Sequence, residues 1–316
     1  MDDDIANAWK RISEKIPPTP LIRSEWLSKL SDADVYLKLE CLNLGHSFKI
    51  RGALNSILSL DPLPNKVITA SGGNHGLGVA IAAKLLGIKA RIYLPVGTSG
   101  YRINILEREG AEVEIFGKSY DDAHQHALEI ANRKGIPYIH AFSQREVYLG
   151  QGTLVQEIKK QIGDVDAIMA SVGGGGLLSG IILTAKALRM NTKFYSVETK
   201  GADCFYRSYK TGMLLELPEI TSIAKTLGAR KTTEEIFEIL NSGVEDAWVV
   251  SDQEAVQGLF EFLEEEKIIL EPAASCLIPA FKKHAQMFSG KKVVLVICGS
   301  NVTIEQALEW KKQFLE

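Results

Sequence analysis

The chain has 316 residues, 46% of them hydrophobic and 24% charged, with a formal net charge of −3. That length admits two domains or one large one, and the acidic balance argues against a general nucleic-acid binder, which carries a basic stripe. The start, Met1-Asp2-Asp3-Asp4, has no apolar core, so no signal peptide is expected. No apolar run reaches the ~18 residues of a membrane span, and Cys41, Cys204, Cys276 and Cys298, without a CxxC pair, read as reduced thiols of a cytoplasmic protein.

Short apolar runs alternate with helical stretches along the chain. Strands are predicted over residues 35–39, 66–70, 90–94, 113–116, 167–170, 193–197 and 293–297, with helices between them, such as 76–86 and 120–134. This alternation predicts an α/β fold of open, mostly parallel sheets with helices on both faces. No Ser/Gly-rich or Pro-rich linker marks a boundary, which suits one domain inserted in another.

Lys49, in Gly45-His46-Ser47-Phe48-Lys49-Ile50-Arg51-Gly52, stands at the head of a predicted helix, where the helix dipole disfavours a cation. Flanking Phe48 and Ile50 suggest partial burial, which lowers an amine's pKa and readies it to attack a carbonyl. The alternative is a solvated surface lysine. Further on, the chain echoes itself. Ile68-Thr69-Ala70-Ser71-Gly72-Gly73-Asn74-His75-Gly76-Leu77 resembles Ile168-Met169-Ala170-Ser171-Val172-Gly173-Gly174-Gly175-Gly176-Leu177, and each copy reads as strand, glycine loop, helix. A helix start offers free N–H groups and a positive dipole end, and glycine lets a ligand approach the backbone, so the echo predicts two anion sockets.

The loop Gly173, Gly174, Gly175 and Gly176 is a near miss for a dinucleotide fingerprint: Gly-x-Gly-x-x-Ser from Gly174, with Glu198 about 20 residues on. A nicotinamide-binding oxidoreductase therefore competes, although it gives no reason for Lys49. An amine at one place and a single-phosphate cup at another fit a cofactor with an aldehyde and a phosphate, which is pyridoxal phosphate. Cys298 follows the last strand, where α/β proteins place ligands. His124, His126 and His140 do not make a zinc site, because His124 and His126 are two apart and face different ways on a helix.

Taken together, these segments resemble the fold-type II pyridoxal-phosphate enzymes, in particular the serine/threonine dehydratase family that includes serine racemase. The resemblance covers nearly the whole chain. It rests on Ser47-Phe48-Lys49-Ile50-Arg51-Gly52, Ser71-Gly72-Gly73-Asn74-His75, the four glycines 173–176, Glu271-Pro272-Ala273 and Cys298-Gly299-Ser300-Asn301. It implies that Lys49 joins the cofactor aldehyde and then acts as acid and base, with Phe48 stacked on the ring and Asn74 on the ring oxygen. It also implies that Ser71, Gly72, Gly73, Asn74 and His75 hold the substrate carboxylate, that the glycines hold the phosphate, and that Cys298 faces the ring nitrogen. Glu198, Ala202 and Leu227 resemble positions holding a monovalent cation, with potassium expected.

The resemblance further implies a large domain of residues 1–41 plus 143–316, a small domain of 42–142 inserted in it, the cofactor in the cleft between them, and a homodimer. The segments around 217–228 and 250–256 look like the L-serine dehydratase branch. No regulatory domain follows Glu316, so a simple catabolic enzyme is expected. Racemases of this family carry a serine where this chain has Gly72, which cannot exchange a proton, and a carboxylate where it has Cys204. Ser275 in place of a family glycine, and His75, point less clearly to one substrate. The expected reaction is elimination of water from L-serine, and L-threonine, giving a keto acid and ammonia, with a racemase or a dehydratase of another 3-hydroxy amino acid such as threo-3-hydroxyaspartate as the alternative.

Overall fold

A computed structural model describes residues 2–316. In chain order its strands are β1 (Leu21–Arg23), β2 (Asp34–Lys38), β3 (Lys66–Ala70), β4 (Lys89–Leu94), β5 (Glu112–Ile115), β6 (Ala167–Ser171), β7 (Lys193–Thr199), β8 (Val244–Val250) and β9 (Lys292–Val296). Six of them form one sheet in the order β1-β2-β9-β6-β7-β8, and β3-β4-β5 form a second. All pairings are parallel except β1 with β2. The α/β expectation holds, with helices on both faces. The predicted strands are all present, and helix Tyr120–Lys134 has its predicted bounds. Two strands escaped the sequence reading. β1 has three residues, and β8 carries Glu245 and Asp246 in its first half. Both are edge strands, where one side faces no neighbour and the apolar pattern is weak. β6, inside the sheet, is buried at every position and reads as an apolar run up to Ser171.

The larger core draws on residues 5–41 and 148–298, and the second on 50–147 together with Ile12 of the first helix and Ile16 just after it. Several helices start on a side-chain cap. Ser99, Ser119, Thr233, Ser251 and Thr303 each accept from a backbone N–H one turn in. The helices Asn74–Leu85 and Gly176–Ala187 have glycine caps and no side-chain bond there, which leaves their first N–H groups free. The two copies of the internal echo are thus both strand–loop–helix, on β3 and on β6.

Four buried charges tie the elements around Lys49 together. The Arg51 guanidinium reaches Glu40 at 2.7 Å and Glu157 at 2.6 Å, and Lys38 Nζ reaches Glu157 at 2.6 Å. These residues come from β2, the turn after it, the lysine helix Lys49–Leu58 and the long helix Arg145–Ile162. Removing one partner would leave an uncompensated buried charge, at a cost of about 3–5 kcal/mol. At the surface, Arg230 bridges to Asp121 of helix Tyr120–Lys134 at 3.3 Å and to Glu216 at 2.7 Å. No helix among the described residues is long and apolar enough to cross a membrane.

Candidate active site

The carboxyl ends of β6 and β9, neighbours in the large sheet, meet the amino ends of three helices around one small cavity. Phe48, Lys49 and Asn74 line it on one side, the four glycines 173–176 at one end, and Ser171 and Cys298 on the floor. Lys49 opens helix Lys49–Leu58, which has no side-chain cap. The preceding chain is fixed instead by pairing: Ser47 bridges Gly299, and Phe48 N–H donates to the Cys298 carbonyl at 3.2 Å. Lys49 Nζ donates to the Ala141 carbonyl at 2.8 Å. Burial lowers its pKa to about 8, so a substantial part of it is neutral near physiological pH. The expectation of a partly buried, activated amine holds, and the solvated-lysine alternative falls.

Each glycine of the second loop is held to that size by its neighbours. A methyl on Gly173 would lie 2.9 Å from Leu227 Cα, one on Gly175 2.5 Å from Ile236 Cγ2, one on Gly176 3.0 Å from Phe142 Cβ, and one on Gly174 would overlap the Phe142 ring. Gly175 has φ +88°, in the left-handed region. Thr232 Oγ1 donates to the Gly174 carbonyl at 2.8 Å, which ties up an acceptor beside the loop. What remains is a cup of N–H groups at a helix start, suited to a phosphate.

On the floor, Ser171 Oγ and Cys298 Sγ lie 3.4 Å apart, and the thiol also reaches the Ala273 carbonyl at 3.6 Å. Burial pushes the Cys298 thiol well up, so it stays neutral. Opposite, Asn74 donates to Glu271 at 2.8 Å and accepts from Asn301 Nδ2 at 2.7 Å. The Glu271 carboxylate also accepts from Thr226 Oγ1 at 3.0 Å and the Asn301 N–H at 3.3 Å, and burial raises its pKa.

The cavity wall thus unites Phe48, Lys49, Asn74, the four glycines, Cys298 and Leu227 from the sequence reading. Ser71, Gly72 and Gly73 form the turn leading to Asn74, with Gly73 N–H donating to Ser71 Oγ at 3.2 Å. The His75 side chain turns away: its Nε2 bonds the Ile139 carbonyl at 3.0 Å, and burial lowers its pKa to about 3. Glu198 is buried on β7, accepting from the Phe205 and Tyr206 N–H groups at 3.0 and 2.5 Å, while Ala202 N–H bonds the Thr199 carbonyl at 2.8 Å. Ser171, Phe142 and Thr226 had no role in the sequence reading. Glu271 stood in a quoted motif without one. Only the Glu271-Pro272-Ala273 motif and the Ser171 position in the echo gave a signal for any of them.

The residues fit pyridoxal phosphate: a lowered amine, a phosphate cup that a single Cβ would fill, and a neutral floor between them. A model of the pyridoxal-phosphate dependent enzyme family matches residues 12–299, and the chain belongs to that family. It is 34% identical to a serine dehydratase-like protein of Mus musculus, over 93% of this chain and 94% of the relative. It is 31% identical to serine racemase of Schizosaccharomyces pombe, over 98% and 97%. Its fold matches the processed form of threonine deaminase isoform 2 of Solanum lycopersicum with a TM-score of 0.92 at 28% identity, over 98% of this chain and 87% of that one. The resemblance to serine/threonine dehydratases and serine racemase is therefore borne out at the level of family.

Proposed function

We propose that the protein is an ammonia-lyase that eliminates water from L-serine, and from L-threonine, to give a 2-keto acid and ammonia. The observation that carries elimination over racemisation is Gly72. The near face of the site has a lowered amine at Lys49, while position 72 has no side chain to return a proton from the other face. Pyridoxal phosphate, when bound, supplies the aldehyde that captures the substrate amine and the ring that draws electron density from its α-carbon. Lys49 would hold the aldehyde end, the N–H groups of residues 173–176 the phosphate, Asn74 the ring oxygen, and Cys298 with Ser171 the ring nitrogen.

Lys49 Nζ, neutral for part of the time at pH 7 and released to the substrate side, takes the α-proton. The neutral Cys298 thiol would hold the ring nitrogen without fixing a positive charge on it, and a ring so held would be the weaker electron sink that suits loss of a β-hydroxyl. The uncapped start of helix Asn74–Leu85 receives the substrate carboxylate. The same reading takes residues 42–142 as a unit that closes over substrate, with Arg230 and Asp121 meeting across its edge. It places potassium beside Glu198 with the Ala202 and Leu227 carbonyls. In support, Glu198 is a buried carboxyl that forms no salt bridge among the described residues.

The test is keto-acid release by cofactor-loaded protein from L-serine, D-serine, L-threonine and L-threo-3-hydroxyaspartate in parallel. L-serine should give the highest kcat/KM, L-threonine should follow, and Lys49→Ala should abolish both. Product from hydroxyaspartate alone would replace the substrate, and interconversion of L- and D-serine without keto acid would replace the reaction.

A further inference from the structure

We propose that His140 is a positioning residue that holds both ends of the cavity at once, through a turn its imidazole builds; this rests on the cofactor site proposed above. His140 follows the edge of the small sheet, where Tyr138 bridges Ile68 of β3 and Ile139 N–H donates to the Ile68 carbonyl at 2.8 Å. Its own N–H donates to Gln144 Oε1 at 2.8 Å, and Gln144 Nε2 returns to the Tyr138 carbonyl at 2.8 Å. The imidazole then closes the turn. Nδ1 accepts from the N–H groups of Phe142 at 3.2 Å and Ser143 at 3.1 Å.

Two donors pointing at Nδ1 assign the ring proton to Nε2. A proton on Nδ1 would face both N–H groups and open the turn. The surroundings keep the ring neutral. His124 packs edge-on at 5.6 Å, Tyr138 and Phe142 lie at 6.3 and 4.7 Å, and Lys49 is close enough to add its charge. Burial first, and then the nearby His124 and Lys49, lower the His140 pKa to about 4.

The turn matters because of the two residues it carries. The Ala141 carbonyl is the acceptor for Lys49 Nζ. Phe142 is the side chain against Gly174 and Gly176 of the phosphate loop. One imidazole nitrogen therefore sets where the amine points and how the cup for the phosphate is backed.

The first test is histidine imidazole NMR on cofactor-free protein, with His140 assigned by its proximity to the Phe142 and Ser143 amides. Expected is an unprotonated Nδ1 and a proton-bearing Nε2, unchanged from pH 8 to 5.5. A proton on Nδ1, or an ordinary titration near 6.5, overturns the proposal. The second test compares three variants. The Asn side-chain oxygen reaches the place of Nδ1, whereas Gln reaches that of Nε2 and Ala neither. His140→Asn should bind pyridoxal phosphate within about threefold of wild type, and His140→Ala and His140→Gln about tenfold more weakly, with kcat for serine falling and KM little changed. Equal affinity in Asn and Ala variants, at either level, overturns it. Should wild type fail to bind pyridoxal phosphate, the functional reading falls, while the imidazole spectrum still decides the turn.

Discussion

The loops after β3 and β6 are the same motif used twice, and they differ in how tightly they are enclosed. The β6 loop is walled in. At each of its four glycines a Cβ would meet Leu227, Phe142 or Ile236 at 3.0 Å or less. The β3 loop is open at Gly72 and Gly73, although a methyl on Gly76, which matches Gly176, would overlap the Ser71 carbonyl. A methyl on Gly72 would find only the ends of Leu94 and Thr98 at 3.4 Å, and one on Gly73 nothing nearer than 3.9 Å. Both lead to helix starts without side-chain caps. The enclosed loop suits the unvarying part of a reaction, a cofactor phosphate. The open loop suits the part that changes between enzymes, the substrate. One backbone device thereby serves constancy in one copy and adaptation in the other.

The contrast is broken most directly by putting one methyl into each loop. Gly174→Ala should abolish cofactor binding and cost about 1–3 kcal/mol or more of stability, because Phe142 must move; cofactor titration and thermal denaturation measure both. Lys49, between the loops, gives the next effect. Its amine titrates at about 8 in the folded chain and near 10.4 in the unfolded one. The folded pKa is the lower, so between those values the unfolded state binds more protons and stability rises with pH. Cofactor-free wild type should gain up to about 3 kcal/mol relative to Lys49→Met as pH rises from 7 to 10.5, read from denaturant midpoints.

Glu271→Gln sharpens the open side. It turns an acceptor shared by Asn74, Thr226 and the Asn301 N–H into a partial donor. kcat should fall by about tenfold, and stability by about 1–3 kcal/mol as one buried donor loses its acceptor, read from turnover and thermal denaturation. The smallest effect is expected at Gly72. Gly72→Ala should alter stability by less than about 0.5 kcal/mol. Gly72→Ser should add measurable L-to-D serine conversion without losing the fold; chiral chromatography of the product decides it.

The sequence made the enclosed loop easy to find and its enclosure invisible. Four consecutive glycines after an apolar strand announce a helix-start cup, but Phe142, Leu227 and Ile236 come from segments far apart in the chain, and only folding brings them to the loop. The same holds for Ser171 beside Cys298, whose strands are neighbours only because β9 inserts between β2 and β6. Asn74 was legible from its motif, whereas its bond to Glu271 spans nearly two hundred residues. The central strands were readable because burial on both faces leaves a continuous apolar run. β8 was not, because an edge strand can carry Glu245 and Asp246. His75 shows the opposite case: it lies in the right loop, yet its ring is spent on the Ile139 carbonyl.

The four buried charges behind Lys49 have a consequence for the protein's response to its ionic medium. Arg51, Glu40, Glu157 and Lys38 sum to zero and are sealed from solvent, so dissolved ions have no access to screen them. The exposed Arg230–Asp121 bridge is within their reach. Raising salt from millimolar to molar should therefore weaken the Arg230–Asp121 bridge and leave the seat of Lys49 where it is. If residues 42–142 close over substrate as proposed, a cell that concentrates its electrolytes under osmotic stress would alter how readily substrate enters and product leaves, without disturbing the proposed base.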